Sequence, residues 1–309
     1  MNLETINKNT NYAQYLSKME NSVSLSSKGL LPFLVSMHVR EGAVLDVGCG
    51  SGILMETISK VCPNLSVFGI DMNENAVNEC VKKGLNAKKI SLEELAWKKG
   101  EPRKFQCIIF SSVLHKFSSY DERGPFKPNP ILYALRDAEN LLSDDGVIII
   151  RDGLKAENSF QEGIMPERIL FRSKKDIQWV ERFSKEYKAE EFTYDVIRNS
   201  VYLPRNIAKE FLFTFTWGEE SWEREVREKF GILSDEEWKD ILRLAGFFPI
   251  TEMYNSEEYI KYLSKKIVIT ERIAKMFSRA TVTFVAKKSK SIKNNRRQRT
   301  VQAGEGVPG

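Results

Sequence analysis

Three alternate glycines near the start of the chain have the spacing of a ligand-binding turn. They follow the apolar stretch Val44–Val47 as Gly48-Cys49-Gly50-Ser51-Gly52, and a helix-like segment begins at Ile53. Glycine lets the backbone turn tightly beneath a ligand, and the free N–H groups of the following helix point toward that ligand. Asp71 ends the next apolar stretch about 20 residues later, where a carboxylate accepts hydrogen bonds from ribose hydroxyls. The pattern therefore predicts a nucleoside-containing ligand.

These two segments resemble the first two motifs of the class I S-adenosylmethionine-dependent methyltransferases. The sequence VLDVGCGSG at 44–52 is similar to the first motif, and Asp71 matches the acid that ends the second. A nicotinamide dehydrogenase usually places its third glycine one residue later, where Ile53 stands. The resemblance implies that S-adenosylmethionine is the cofactor and that its binding site includes Asp46, Gly48, Cys49, Gly50, Gly52, Asp71 and Met72.

The third and fourth strands of the resembled family complete this site. The family usually has an acid followed by an apolar residue after the third strand, where the adenine is held, and Ser91-Leu92 stands there instead. Ser91 still offers a hydrogen bond and Leu92 an apolar surface, so both are retained as cofactor contacts. Ser111, at the end of the predicted fourth strand, is the remaining expected contact.

His115 is the candidate general base. The stretch Ser111-Ser112-Val113-Leu114-His115 resembles the S-x-x-L-H stretch of small-molecule and quinone-type methyltransferases, whose substrate lies beyond the carboxyl ends of the strands. Methyl transfer from a sulfonium requires an aligned nucleophile that has lost its proton, and histidine suits this role near neutral pH. A purely structural role is the alternative. His38 is expected on a helix surface or helix end.

Arg151-Asp152 ends the predicted fifth strand at the same edge of the sheet. The pair is a candidate for orienting an acceptor or binding a carboxylate or phosphate, and an ion pair with the segment that follows is the alternative.

That segment, Leu154–Leu233, is rich in aromatic residues and separates the fifth strand from the next helix of the core. An insertion at this point falls over the active-site edge, so we predict a mainly helical lid. It is interpreted either as a substrate cap or as a structural buttress or dimer surface. The lid residues proposed to contact substrate are Tyr202, Arg205 and Trp217, with Arg224 as a further candidate.

The predicted fold is α/β, with a Rossmann-like seven-stranded, mostly parallel sheet and the lid inserted after the fifth strand. The expected divisions are N-terminal helices over 1–40, a cofactor-binding part over 41–153, the lid over 154–233, a C-terminal part of the methyltransferase domain over 234–287, and a basic disordered tail over 288–309. The capping-box pattern Ser234-x-x-Glu237 predicts the helix that follows the lid.

Charge and cysteine usage limit the classes of protein. The net charge is +5, but seven Lys/Arg against one acid give +6 to residues 287–309 and leave −1 for the rest. This distribution argues against a broadly basic nucleic-acid groove. Four cysteines without a C-x-x-C pair suggest reduced thiols and neither a disulfide framework nor a metal site. No signal or membrane-spanning stretch is evident, so a cytoplasmic protein is expected.

Three functions remain open at this stage. The first is O-methylation of a small molecule or peptide with His115 as base. The second is RNA methylation, with the tail attracting phosphates. Against it, the fourth strand lacks the N/D-P-P-Y/F/W pattern of base-amine methylation, and a solvated terminus is the favoured interpretation of the tail. The third is a non-catalytic cofactor-binding scaffold, against which the intact glycine turn and Asp71 argue.

Overall fold

The computed structural model describes residues 27–97, 104–122, 125–156 and 165–289. The first of the two predicted N-terminal helices and the tail beyond Ser289 lie outside the described residues. The strands of the described part are β1 (Gly42–Val47), β2 (Leu65–Asp71), β3 (Ala87–Lys89), β4 (Phe105–Ser111), β5 (Leu142–Gly153), β6 (Glu167–Leu170), β7 (Asp195–Ile197), β8 (Ser200–Leu203), β9 (Phe247–Asn255) and β10 (Thr281–Lys288).

Seven of these strands form one sheet in the order β3-β2-β1-β4-β5-β10-β9. Strands β1 to β5 pair in parallel, whereas β10 runs antiparallel to both of its neighbours. The predicted Rossmann-like, seven-stranded, mostly parallel sheet is therefore confirmed. Because parallel strands bring their carboxyl ends to one edge, the ends of β1, β4 and β5 meet there.

Helices cover the sheet and connect its strands. Their bounds are α1 (Ser27–His38), α2 (Ile53–Val61), α3 (Glu74–Lys82), α4 (Leu92–Trp97), α5 (Leu114–Ser119), α6 (Asn129–Leu141), α7 (Gln178–Glu186), α8 (Arg205–Trp217), α9 (Trp222–Glu225), α10 (Asp235–Leu244), α11 (Glu257–Leu263) and α12 (Glu271–Phe277). Short 3₁₀ turns occupy Lys174–Ile177 and Glu219–Ser221. The predicted capping box at the start of α10 is present, with Ser234 and Glu237 each bonding the other's backbone N–H.

Burial on both faces explains the apolar composition of the central strands. In β4, Ile108 and Phe110 pack into one core, and Cys107 and Ile109 pack into a second core on the opposite face. Strands covered on both faces lose the alternation of polar and apolar residues that marks a half-exposed strand. The central strands are thus held firmly, and their ends form a rigid platform.

The insertion after β5 has a hydrophobic core of its own. Its aromatic rings stack and cross at centroid distances of 4.5–6.3 Å; they include Phe171, Phe183, Tyr187, Phe211, Phe215 and Trp222. Residues of α11 and α12, which lie in the segment predicted as the C-terminal part of the methyltransferase domain, also join this core.

The insertion is mainly helical, as predicted, and it also contains strands. Besides α7, α8 and α9 it contains an antiparallel sheet in the order β6-β8-β7. Its strands have only three or four residues each. Strands this short give almost no periodic signal, which explains why the sequence did not predict them. No helix in the described ranges is long and apolar enough to cross a membrane.

Substitution Phe211→Ala tests the second core. The Phe211 ring is fully buried and contacts the rings of Phe171, Phe183 and Phe215. Its removal leaves a cavity, and we expect the free energy of unfolding to fall by about 3–5 kcal/mol. The matched control is Phe248→Ala, because this ring is 64% exposed and its loss should change stability by less than about 0.5 kcal/mol. Urea unfolding of both variants measures the difference, and equal effects would contradict a packed insertion core.

Candidate functional site

The glycine turn between β1 and α2 has a backbone that other residues do not readily adopt. Gly48 and Gly52 have φ angles of 72° and 80°. A Cβ atom at Gly48 would lie 2.6 Å from Cγ2 of Val113, and one at Gly52 would lie 2.4 Å from Cδ1 of Leu85. The turn is therefore packed so closely that a side chain at either position would displace its neighbours.

Hydrogen bonds from neighbouring elements fix this turn and the acid beside it. The N–H groups of Gly50 and Asn73 donate to the two carboxylate oxygens of Asp71, at 3.0 and 2.8 Å. Lys83 Nζ donates to the carbonyl oxygen of Ser51 at 3.0 Å. Each carboxylate oxygen retains a lone pair for a further donor. Asp71 is thus oriented at the end of β2 with capacity for two ribose hydroxyls.

The other predicted cofactor contacts differ in their surroundings. Met72 is 59% exposed next to Asp71, whereas Asp46 and Cys49 are buried. The Ser111 hydroxyl, at the end of β4, has no hydrogen-bond partner among the residues that the structure describes. It is therefore free to bond a ligand at that edge.

Ser91 and Leu92 already have structural roles. Ser91 Oγ accepts the N–H of Glu94 at 3.0 Å, and the Ser91 N–H donates to the Glu94 carboxylate at 3.1 Å, which caps the start of α4. Leu92 is buried in the core beneath the sheet. Both residues therefore follow β3, as predicted, but the Ser91 side chain caps a helix and the Leu92 side chain packs in the core. Their contact with adenine stays a prediction.

His115 lies between two carboxylates at the edge formed by β4 and β5. Its Nδ1 is 2.6 Å from Oδ1 of Asp152 and its Nε2 is 3.1 Å from Oε2 of Glu228. The His115 backbone N–H also donates to Asp152, at 3.1 Å. A carboxylate accepts hydrogen bonds and does not donate them, so both ring nitrogens carry a proton in this arrangement. Glu228 belongs to the insertion, and the ring therefore links the insertion to the sheet.

Glu228 has further partners in the same cluster. Its Oε1 accepts from the Tyr120 hydroxyl at 3.1 Å and lies 3.3 Å from Nζ of Lys116 and 3.7 Å from Nε of Arg224. The His115–Asp152–Glu228 chain with Lys116, Tyr120 and Arg224 is called the His115 cluster below. In this cluster the cations are Lys116, Arg224 and the imidazolium, and the carboxylates are Asp152 and Glu228. Their mutual attraction offsets the free-energy cost of burying these charges.

The segment that carries Glu228 is held from both sides. Glu210 of α8 is buried and accepts the N–H groups of Phe230 and Gly231 at 2.8 and 2.7 Å. Ser119 Oγ accepts the N–H of Lys229 at 3.0 Å. A Cβ atom at Gly153 would lie 2.6 Å from the Phe230 carbonyl oxygen, so the end of β5 touches this segment directly. The position of Glu228 is thus determined by contacts on both sides.

The electrostatic environment favours the charged form of His115. Burial alone would lower the pKa of the imidazole, but the adjacent carboxylates of Asp152 and Glu228 outweigh it and raise the pKa to about 9. Burial would raise the pKa of Glu228, yet Lys116 and His115 hold it below its ordinary value. Burial and the charge of Glu228 raise the pKa of neighbouring Glu225 to about 7. The His115 cluster therefore contains an imidazolium at neutral pH.

The remaining predicted residues divide into those near this edge and those inside the insertion. Arg151 is next to Asp152 in sequence, but its Nη1 donates to Ser112 Oγ at 2.8 Å, at the start of the turn between β4 and α5. Arg205 is buried and pairs with Glu167 within the insertion. Tyr202 lies on β8 and Trp217 packs against the insertion core. The contact of these three lid residues with substrate stays a prediction.

Sequence reasoning missed Glu228, Lys116 and Tyr120. Glu228 lies in the charged stretch Trp222–Lys229, which has several acids and bases and reads as an exposed helix surface. Nothing in its pattern separates it from Glu223 or Glu225. Only the tertiary packing of the insertion on β5 brings it to His115.

Comparisons with known proteins agree with the cofactor-binding features. Residues 38–179 match a family model described as "Methyltransferase domain". A stretch of 90 residues is 34% identical to the ribosomal protein L11 methyltransferase of Helicobacter hepaticus and spans 27% of each chain. A stretch of 78 residues is 37% identical to the ribosomal RNA small subunit methyltransferase C of Shewanella oneidensis, over 24% of this chain and 22% of that one. The chain thus matches about a quarter of the length of these curated relatives.

Solved structures with related architecture share little sequence with this chain. The plantazolicin methyltransferase BpumL, in complex with a monoazolic desmethylPZN analog and SAH, has a TM-score of 0.45 at 14% identity, covering 92% of this chain and 86% of that one. The O-methyltransferase NcsB1 from neocarzinostatin biosynthesis has a TM-score of 0.46 at 11% identity, covering 89% of this chain and 57% of that one.

The sheet order and the glycine turn define a Rossmann-like domain of the methyltransferase type. Residues 38–179 match a methyltransferase domain, in agreement with the resemblance to the class I S-adenosylmethionine-dependent methyltransferases. S-adenosylmethionine is the cofactor of this family, and the closely packed turn, the oriented Asp71 and the unpaired Ser111 hydroxyl fit it. Among the described residues, no cluster of His, Cys, Asp or Glu is arranged to hold a metal ion.

Substitution Asp71→Ala tests the cofactor site. The carboxylate is expected to accept charge-assisted hydrogen bonds from the ribose, so its loss should weaken S-adenosylmethionine binding by about 1.5–3 kcal/mol. Isothermal titration calorimetry measures the change. Asp144→Ala is the matched control, because this exposed acid lies at the opposite end of β5 and its removal should leave the affinity unchanged. Equal affinities in the two variants would remove Asp71 from the site.

The two histidines of the chain provide an internal comparison for the charge of His115. The pKa of His38 is lowered by partial burial and by the charge of Lys287, whereas that of His115 is raised to about 9 from an ordinary value of 6.5. NMR titration of the imidazole protons should show one ring that loses its proton below pH 6.5 and one near pH 9. Assignment with His38→Gln identifies each signal.

The raised pKa of His115 also makes stability depend on pH. Because the pKa is higher in the folded than in the unfolded chain, the stabilisation is complete below about pH 6.5 and is lost as the pH rises through about 9. Two rings that both titrate near pH 6 would contradict the paired arrangement of His115.

Proposed function

We propose that the chain is an enzyme that transfers the methyl group of S-adenosylmethionine to an oxygen of a small molecule or peptide, at the edge formed by β4 and β5. The observation that carries this proposal is the Asp152–His115–Glu228 arrangement next to the cofactor turn. Val113, whose Cγ2 lies 2.6 Å from the position of a Cβ at Gly48, is two residues before His115. A titratable ring thus lies beside the turn expected to hold the cofactor.

The chemistry divides between cofactor and protein. S-adenosylmethionine supplies an electrophilic methyl group, and the protein aligns the acceptor and holds its proton. His115 is the proposed base, and its geometry sets a condition on that role. His115 Nε2 must lose its proton, and its hydrogen bond with Glu228 must be replaced by one with the acceptor hydroxyl. Because the pKa of the ring is about 9, we expect the reaction to accelerate as the pH rises toward that value.

Burial of the His115 cluster supports a small or flexible acceptor. His115, Asp152 and Glu228 are each no more than 3% exposed, and the insertion lies directly against them. A folded RNA duplex would not reach this ring without displacing the insertion, whereas a small hydroxyl or a peptide end requires far less space. The aromatic residues of the insertion, in contrast, give no support to this choice, since most of them form its own core.

RNA methylation is the second candidate. The tail from residue 287 carries a charge of +6, and the two curated relatives are named for a ribosomal protein and a ribosomal RNA. Sequence-independent attraction to phosphate would then act through the tail. The buried ring and the nearly neutral remainder of the chain favour the first candidate.

Incorporation of a labelled methyl group distinguishes the two. S-adenosylmethionine labelled on its methyl carbon is incubated with the full chain and a cell extract, which is then separated into RNA, protein and peptide, and small molecules. We expect label in the small-molecule or peptide fraction, and none with Asp71→Ala. Ribonuclease-sensitive label that requires residues 290–309 would support RNA methylation instead. Cofactor binding without label in any fraction would support the non-catalytic scaffold.

Two substitutions in the His115 cluster test the proposed base. His115→Ala should lower turnover by about 10²–10⁴-fold if the ring accepts the proton. Glu228→Gln removes one of the charges that raise the pKa of His115, so the rise of kcat/KM with pH should move to lower pH. Once an acceptor is known, pH profiles measure this shift.

Glu223→Gln is the matched control, because Glu223 is an exposed acid on α9, in the same charged stretch as Glu228. Its pH profile should coincide with that of the unmodified protein. An unshifted profile in Glu228→Gln, or near-normal turnover in His115→Ala at saturating cofactor, would make the His115 cluster a structural link only.

A further inference from the structure

Two cysteines meet beneath the glycine turn. Cys49 belongs to the turn itself, and Cys80 lies on α3; their sulfur atoms are 4.0 Å apart. Both are free thiols, and with Met55 they form a small apolar cluster between the turn and the helix. Cys80 is fully buried and Cys49 is 7% exposed, so Cys49 is the part of this cluster closest to solvent.

The sulfur of Cys80 supports the backbone of the turn. It donates to the carbonyl oxygen of Gly50 at 3.2 Å, and it lies 2.8 Å from the position that a Cβ at Gly52 would occupy. The sulfur of Cys49 lies 2.8 Å from the corresponding position at Gly69 of β2. The sulfur of Cys80 therefore fills the space beside Gly52, and the sulfur of Cys49 fills the space beside Gly69. Movement of either sulfur would alter these contacts.

We propose that Cys49 and Cys80 are a modification site at which a peroxide forms a disulfide that weakens cofactor binding. A disulfide bond is about 2.05 Å long, so the two sulfur atoms must approach each other by about 2 Å. Rotation of Cys80 toward Cys49 removes its bond to the Gly50 carbonyl, and we expect the Gly48–Gly52 turn to shift once this support is lost. The inference rests on the assignment of this turn as the cofactor site.

The chemistry balances with a peroxide as the oxidant. The Cys80 thiolate attacks one peroxide oxygen, an S–O bond forms as the O–O bond breaks, and the leaving hydroxide takes up a proton to become water. The thiol of Cys49 then attacks the sulfenic sulfur, and the hydroxyl leaves with the thiol proton as a second water. The two thiols lose two electrons and two protons, which reduce one hydrogen peroxide to two waters. The hydrogen bond with Cys49 lowers the pKa of Cys80, which favours the thiolate that begins this sequence.

The cofactor and the disulfide should oppose each other. We expect S-adenosylmethionine to bind the turn as it stands and the disulfide to displace it. Binding linkage is reciprocal, so a disulfide that weakens the cofactor implies a cofactor that disfavours the disulfide. Saturating S-adenosylmethionine should therefore slow cross-linking by peroxide.

Peptide mapping and calorimetry on the full chain test the inference. The reduced protein is first titrated with S-adenosylmethionine, then treated with hydrogen peroxide, alkylated in denaturant and digested with trypsin and an Asp-specific protease. The second protease is needed because Cys62 and Cys80 lie between the same two lysines, Lys60 and Lys82, with Asp71 between them. We expect a linked pair of peptides that contain Cys49 and Cys80, and an affinity lower by about tenfold or more. Dithiothreitol should restore the affinity.

Variants separate this site from oxidation elsewhere. Cys62→Ala should still form the link and lose affinity, whereas Cys80→Ala should show neither change; Cys80→Ser serves if Cys80→Ala does not fold. Oxidation confined to Cys62, or linked protein with unchanged affinity, would overturn the proposal. Failure of the reduced protein to bind S-adenosylmethionine would instead contradict the cofactor assignment, so the two failures are distinguishable.

Discussion

The hydrogen-bonded chain Asp152–His115–Glu228 joins the two cores of the molecule. Asp152 ends β5, His115 follows β4, and Glu228 comes from the insertion. A buried carboxylate destabilises the fold unless it is paired with a positive charge. When the insertion packs on the sheet, Glu228 becomes buried, and its charge is compensated by the His115 imidazolium and Lys116. The same contact that fixes the insertion also places a titratable ring at the strand edge. Stability and chemistry therefore depend on one arrangement.

The cofactor side of the domain is rigid for a different reason. The glycine turn has little free space around it: Val113 lies against Gly48, Leu85 lies against Gly52, and Asp71 accepts the N–H of Gly50. Such a site is preorganised, since its donors and acceptors are oriented before the ligand arrives. The turn packs against Val113, two residues before His115, so the proposed cofactor site and the His115 cluster share one short stretch of backbone.

The sequence predicted the sheet, the turn and Asp71 because their signals are local. Apolar strands, alternate glycines and a capping box are each determined by neighbouring residues, as Ser234 and Glu237 show. Glu228 was not predictable, because its role depends on how an inserted segment packs more than 70 residues away from Asp152. The aromatic residues of the insertion were interpreted as part of a substrate cap or of a structural buttress, and most of them form a second core. Composition indicates burial, and only the fold shows in which core.

An experimental structure with S-adenosylhomocysteine bound would test the central claim most directly. That claim places the cofactor turn and the His115 cluster on either side of one acceptor site. We expect ribose hydroxyls within hydrogen-bond distance of Asp71, and a sulfur atom directed toward the edge where β4 and β5 end, with His115 as the nearest titratable ring. A ligand bound elsewhere, or a sulfur atom directed away from His115 with the insertion between them, would contradict it.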